Sequence, residues 1–425
     1  MQPHSATLEP YLDLIPTPES ISELGVSRPL LEELALKTIH LAAPPTLVEL
    51  AAGLCLSYHI VDDLFRRLRS EQLTEVVGMT KNAPQIGLTS HGRSRALELL
   101  NFNQYAGPAP VSFADYVQQT RRQSVRNVGV LPPDIHRAYA HLVLDETTRT
   151  KLGTALNSGT SIFLYGPSGT GKTAIASAIP GVFSDDRVWI PWAVQMDGQI
   201  VTVYDTHLHS PINEPQFKDC DKRWVLCRRP TVLVGGELTL EMLELQLNPV
   251  TKFYTAPVQM KANNGVLIID DFGRQRLRPD ELLNRWVVPL DRGIDFLTLA
   301  GGRKVEIPFE LFVVFATNLD PAGLADPAFL RRIQSKIKVG AVSPLQFHEI
   351  FRQVCDEWGM ECKADLVDEL MTVIREKGEP LRACHPRDFV NQIRWSARYA
   401  ERDPVLDRDS LLAAVDAYFV SEDAS

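Results

Sequence analysis

The 425-residue chain is predicted to be an α/β protein, with a parallel sheet flanked by helices, a helical bundle after it and a small helix-and-hairpin module before it. Three observations predict this. An apolar run, Ser161-Ile162-Phe163-Leu164-Tyr165, leads into Gly166-Pro167-Ser168-Gly169-Thr170-Gly171-Lys172-Thr173 and then into a helical pattern opening at Ala174-Ile175-Ala176. Two more apolar runs end in polar residues: Val266–Ile269 in Asp270-Asp271, and Leu311–Ala316 in Thr317-Asn318. From Pro344 onward the apolar residues recur at helical spacing.

The glycine-rich segment has the spacing G-x-x-x-x-G-K-S/T between a strand and a helix, the context that defines a P-loop. Glycines let backbone N–H groups close around phosphate oxygens, and the helix start adds partial positive charge. Gly166 to Thr173, with Ala174 at the helix start, are therefore the expected nucleotide-binding residues. Lys172 is placed to reach the β- and γ-phosphates, and the Thr173 hydroxyl to ligate Mg²⁺. The bland alternative, a glycine-rich turn with a chance lysine, does not explain why motif and context agree.

Composition describes an ordinary globular chain, 44% apolar and 23% charged. A net charge of −9 argues against coating nucleic acid by bulk charge, though it leaves room for a local basic patch. No apolar run is long enough to span a membrane, and with no basic region followed by an apolar one after Met1-Gln2-Pro3-His4, no signal peptide is expected. The six cysteines form no C-x-x-C pair, so reduced thiols and a cytoplasmic setting are expected. His207-Leu208-His209 lacks a third ligand spaced for a metal.

In chain order, residues 1–26 read as irregular. Within 27–104, helices are expected from Arg28 to about Ala42 behind Ser27, from Thr46 to about Leu54, and from Ser57 to about Ser70. Strands at Leu73–Met79 and Gln85–Thr89 and a helix at Ser90–Leu100 follow. That element order resembles a winged helix-turn-helix. Its third helix offers His59, Arg66, Arg67 and Arg69, but Asp62 and Asp63 sit among them. Residues 21–105 hold 8 Lys/Arg and 9 Asp/Glu, a balance of −1, which favours protein docking or subunit packing over DNA. Residues 105–134, with Pro108, Pro110, Pro132 and Pro133, read as a linker, and Ile135–Leu144 as a helix entering the nucleotide region.

Beyond the P-loop helix, Arg187–Tyr204 alternates around Asp197-Gly198, a hairpin signal. Thr231–Val234 reads as a short buried strand and Thr239 as the cap of a helix to about Leu247. Thr251–Lys261 suggests a hairpin with Phe253 and Tyr254 at its tip, placed to touch a polypeptide in a pore or simply to pack. Asp270 is expected to hold Mg²⁺ through water and Asp271 to orient or deprotonate the attacking water. Leu282–Val288 reads as a helix, and Phe296–Leu299 with Lys304–Ile307 as a tight hairpin around Gly301-Gly302. Asn318 places an amide at the sheet edge that carries the two acids. Asp326-Pro327-Ala328-Phe329 then leads to Arg331-Arg332 at a helix end.

P-loop, acid-ended strand, Asn-ended strand and arginine pair, in this order, resemble an AAA+ ATPase across roughly residues 135–420. The resemblance gives Asp270 and Asp271 the Walker B position and Asn318 that of sensor 1. It gives Arg331 or Arg332 that of an arginine finger reaching the neighbouring subunit's γ-phosphate. The hairpin before Asn318 and the one expected at 251–261 resemble the helix-2-insert branch, MoxR-like ATPases included. One departure is Asp271, where most of the family has Glu; the missing methylene draws the carboxylate back by about 1.5 Å.

Residues 135–342 are thus expected to form the nucleotide domain and 343–425 a helical lid. The lid helices are expected at Pro344–Gly359, Ala364–Lys377, Pro386–Arg402 and Asp407–Phe419. Arg387, just after a helix-starting proline, resembles sensor 2; its bland reading is a surface arginine paired to Asp388 or another acid. The implied activity is Mg²⁺-dependent ATP hydrolysis by a homo-oligomer, a hexameric ring, that remodels a protein client. The alternatives are a DNA-associated ATPase gripping duplex through the N-terminal module, or a nucleotide-gated switch with little turnover. No membrane partner is expected.

Overall fold

The computed structural model describes residues 14–80, 83–213, 217, 219–324 and 330–419. Part of the N-terminal segment expected to be irregular (residues 1–13), Lys81 and Asn82, and Asp326–Phe329 before the arginine pair lie outside the described residues.

The parallel α/β sheet is present. Its strands lie in the order Ser335–Lys338, Ser161–Tyr165, Phe312–Thr317, Val266–Ile269, Thr231–Val234, each parallel to its neighbours. The long apolar runs follow from burial on both faces. On one face Ile162, Leu164, Val266, Ile268 and Val314 pack with Ile175 and Ile179 of the P-loop helix region. On the other, Phe163, Leu267, Ile269, Val313 and Phe315 pack with Phe272, Leu282 and Trp286. Because all strands run the same way, the P-loop, Asp270, Asp271 and Asn318 emerge at one edge. One sequence expectation changes here, and one strand is added. Thr231–Val234 is an edge strand with Leu233 exposed, not a buried one. Ser335–Lys338 is a strand that the lysine-rich sequence hid, pairing beside the P-loop strand.

The N-terminal elements form close to where periodicity put them: helices Arg28–Leu41, Leu47–Leu54 and Tyr58–Ser70, strands Thr74–Thr80 and Ala83–Leu88, and helix Ser90–Phe102. Thr46 and Glu49 make a reciprocal capping box, whereas the Ser57 side chain caps nothing. The first residues described are partly ordered by a 3₁₀ turn at Ile21–Leu24 and a bridge from Pro16 to Cys220.

The stretch expected as a linker is folded. Val111–Ser112 pairs with Ala193–Met196, and Phe113–Arg122 is a helix capped by Ser112. The prolines bound these elements rather than loosening the chain. The helix expected over Ile135–Leu144 is instead Pro132–Ala138, and a second helix, Glu146–Asn157, starts at the cap Asp145. The Asp197-Gly198 turn joins Ala193–Met196 to Gln199–Thr202 as expected. Arg187–Pro191, however, pairs with the distant Trp224–Arg228.

Thr239 starts no full helix: a 3₁₀ turn at Glu241–Leu243 gives way to the strand Gln246–Leu247. The hairpin expected at 251–261 forms earlier in the chain, with Gln246–Leu247 antiparallel to Tyr254–Thr255, and not over 251–261. Tyr254–Thr255 pairs in parallel with Gln199–Thr202, and Pro257 then starts the one-turn helix Val258–Lys261. Phe253 packs edge-on to Tyr105, with centroids 5.5 Å apart, and Tyr254 is buried with its hydroxyl accepting from Ala300 N–H at 2.7 Å. Both aromatics are packing residues. The helical stretch at Leu282–Val288 resolves into Pro279–Arg285 and Val287–Arg292, and the Gly301-Gly302 hairpin forms from Ile294–Thr298 and Lys304–Pro308.

A buried ion pair ties the N-terminal elements to the rest. Arg223 and Asp221, each 3% exposed at the side chain, meet at 2.8 Å, and Arg223 Nη1 also donates to the Leu24 and Pro110 carbonyls. Removing one partner leaves a buried charge unmatched, at a cost of about 3–5 kcal/mol. Asp221→Ala is therefore expected to lower the denaturant midpoint by that amount of stability. An unchanged midpoint in chemical unfolding would show that water already reaches the pair.

The C-terminal helices are Pro344–Glu357, Ala364–Glu376, His385–Tyr399 and Arg408–Tyr418, around a core of Phe347, Phe351, Val367, Leu370, Phe389 and Val415. Ser343 and Gln346 cap the first reciprocally. Among the described residues no helix is long and apolar enough to cross a membrane.

Candidate functional site

At the polar edge of the sheet the sequence leaves the backbone little choice. Gly166 ends the P-loop strand at φ +142, and a side chain there would meet the Val339 carbonyl at 2.1 Å. Gly169, at φ +76, would carry its Cβ to within 2.6 Å of the Cys384 sulfur, and its carbonyl accepts from Cys384 N–H at 3.1 Å. The glycines are thus required both for the loop and for the lid to lie against it.

The loop opens onto a cavity of about 900 Å³. Its floor is Ser168 to Ala174, one wall is Asp270, Asp271 and Asn318, and its roof includes Arg387 and Asp388 of the lid. Gly166 and Pro167 lie behind this floor and meet the lysine instead. Lys172 is 6% exposed, and its ammonium donates to the carbonyls of Gly166 at 2.9 Å and Pro167 at 2.7 Å. Burial pushes the Lys172 ammonium below its ordinary value, and the nearby Asp270 and Asp271 carboxylates oppose that shift. A cation parked on two carbonyls in a cavity is held ready for an anion that offers it more.

Asp270 Oδ1 accepts from Thr173 Oγ1 at 3.2 Å and from the Asp271 N–H at 2.9 Å. The adjacent hydroxyl and carboxylate form a hard oxygen pair suited to Mg²⁺, which keeps most of its shell as water and phosphate oxygens. Among the described residues no group of three or more His, Cys, Asp or Glu is placed to hold a metal ion. His209 is not a ligand: it is buried, with Nδ1 accepting from Asp205 N–H and Nε2 at 2.9 Å from the Lys261 carbonyl.

Asp271 adopts φ +49, the left-handed region that few residues other than glycine occupy; aspartate is among the tolerated ones. Its Oδ1 accepts from Asn318 Nδ2 at 3.3 Å. Backbone geometry therefore helps set where this shorter carboxylate points. Sequence reasoning missed Gln275, which bridges the loop by donating to the Asp270 carbonyl at 2.9 Å and accepting from Gly273 N–H at 2.7 Å. Nothing in a lone glutamine four residues past the acids marks that role. It also missed the apolar end of the cavity, built from Leu142, Val143 and Leu144 with Ile350 and Val354 of the lid. The short apolar run before the Asp145 cap was the available signal.

The remaining expected residues divide. Arg387 lines the cavity but pairs with Glu357 at 3.0 Å, the bland partner type anticipated from sequence. Arg331 and Arg332 do not line the cavity. They lie in the turn before Ser335–Lys338; Arg331 is exposed, and Arg332 is partly buried, with Nε donating to Asp291 at 2.7 Å. In the N-terminal helix Tyr58–Ser70, Arg66 is paired to Asp62 at 2.7 Å and Arg67 to Glu71 at 2.8 Å. Intramolecular pairing thus occupies two of the guanidiniums that a DNA reader would offer to phosphates.

A family described as a domain of unknown function (DUF8689) matches residues 343–417, the lid helices. No curated protein matches the chain. Among solved structures, the Thermotoga maritima RuvB Holliday junction branch migration motor is similar at 14% identity, over 64% of this chain and 69% of that one, with a TM-score of 0.36. A single-residue mutant of that Thermotoga maritima protein is similar at 12% identity, over 69% and 72%, also with a TM-score of 0.36.

Proposed function

We propose that the chain is an AAA+ ATPase that binds ATP with Mg²⁺ in the cavity above Gly166–Ala174 and hydrolyses it to ADP and phosphate. The single observation that carries this reading is the meeting of Thr173 with Asp270, and of Asp271 with Asn318, at the mouth of one glycine-cradled cavity. Mg²⁺, when bound at Thr173 and Asp270, would neutralise charge on the β- and γ-phosphates. The loop N–H groups and Lys172 bind the phosphates. Asn318 and the backbone hold the Asp271 carboxylate where it orients a water and takes its proton. Catalysis on this reading is mainly positioning and charge neutralisation.

Asp271→Asn is expected to keep ATP binding within a few-fold and to lower turnover by about 10²–10⁴, the range for a general base. Equilibrium binding and phosphate release on one preparation measure both. Equal losses of binding and turnover would make Asp271 structural rather than catalytic. Asp271→Glu in the same assay addresses the gated-switch alternative: a large gain in rate means that aspartate holds turnover down.

The finer assignment to the helix-2-insert branch rests on the hairpin Ile294–Thr298/Lys304–Pro308 just before the Asn318 strand. A ring oligomer, a hexamer in this reading, brings an arginine from a neighbour. The leading client is a protein, docked through the winged-helix-like N-terminal module. The paired state of Arg66 and Arg67 and the exposed Val76, Val77 and Met79 on its hairpin favour protein over duplex DNA.

A further inference from the structure

Two charges in the lid sit at the wrong ends of their helices. Glu357 is the last residue of Pro344–Glu357, where the helix dipole disfavours an anion. Arg387 lies in the first turn of His385–Tyr399, where the dipole disfavours a cation. Each relieves the other, since Arg387 Nη2 lies 3.0 Å from both Glu357 oxygens. The turn that carries Glu357 is itself fixed, because the Arg394 guanidinium lies 3.1 Å over the ring of the adjacent Trp358. Both members of the pair line the same cavity as the P-loop, and both side chains are about half exposed, at 52% and 50%. Asp388, next in sequence and also on the cavity wall, makes no ion pair with Arg387.

A half-exposed pair of this kind is weak and yields readily to a competing anion of higher charge. We propose that Glu357 is a displaceable counter-ion that holds Arg387 on the cavity wall in the absence of ligand and surrenders it to the phosphates of a bound nucleoside triphosphate. Glu357 is a positioning residue. It sets how tightly nucleotide binds and ties lid position to occupancy, because the guanidinium can serve one anion fully at a time. The inference rests on the nucleotide reading of the cavity.

The test is a fluorescence titration of the full chain with an N-methylanthraniloyl-ATP probe and Mg²⁺. Glu357→Gln is expected to bind the probe about 3- to 10-fold more tightly than wild type, since it frees the guanidinium and removes a nearby negative charge. Arg387→Ala is expected to bind more weakly, and adding Glu357→Gln to it to change little. Unchanged or weakened binding by Glu357→Gln overturns the proposal. So does an equal tightening in the Arg387→Ala background, which would reduce Glu357 to bulk charge. If wild type takes up no probe, or Lys172→Ala takes it up equally, the nucleotide reading itself falls and the counter-ion with it. Probe binding that depends on Lys172 but not on Glu357 removes the counter-ion alone.

Discussion

Lys172→Ala is expected to weaken Mg²⁺-ATP binding by at least about 10²-fold and to abolish turnover. The ammonium now rests on two loop carbonyls inside the cavity. It would exchange these neutral partners for phosphate oxygens, and a hydrogen bond to a charged group is worth about 1.5–3 kcal/mol. Two such contacts on the β- and γ-phosphates give the stated loss. The fold is expected to survive: Lys172 belongs to no hydrophobic core cluster, and the space its side chain vacates admits water to the two carbonyls it leaves. Isothermal titration alongside a thermal melt separates the two effects. Retained affinity with a native melt would mean that the glycine loop holds no phosphate.

Arg331→Ala is expected to lower turnover by about 10³–10⁵, the range for an arginine finger, with ATP affinity little changed. The sequence left Arg331 and Arg332 equivalent. Their surroundings separate them: Arg332 is engaged by Asp291, whereas Arg331 is exposed and does not line the cavity. A guanidinium that must reach a neighbour's phosphate has to be available, so the proposed finger is Arg331. Arg332→Ala is expected to act through stability instead, by about 0–1 kcal/mol for a surface pair. Phosphate release at a concentration where the assembly is complete checks both. Equal rates for wild type and Arg331→Ala would exclude a finger there.

What the sequence disclosed was set by local physics. The P-loop, the acid-ended strand and the Asn-ended strand are each continuous in sequence, and burial on both sheet faces forces unbroken apolar runs. Ser335–Lys338 carries no local signal because this edge strand buries only Ile337, set between two lysines. Arg187–Pro191 found its partner at Trp224–Arg228, a long-range pairing that no local pattern encodes. Phe253 and Tyr254 were open to display or packing on local pattern alone; the pairing of Tyr254–Thr255 with both Gln246–Leu247 and Gln199–Thr202, and the turn at Pro257, draw them inward. Within the site, residue identities were legible at Lys172, Thr173, Asp270 and Asn318, where motif and element coincide. The left-handed backbone of Asp271, the Gln275 bridge and the Glu357 partner of Arg387 were not, because each depends on how a loop closes or how the lid sits.

The measurement closest to the central claim is phosphate release from Mg²⁺-ATP by the purified full chain across a concentration series. The account predicts release whose rate per chain climbs as subunits assemble and then levels off. Absence of release at every concentration, with ATP bound, would contradict it, as would a rate per chain already maximal for the dilute monomer.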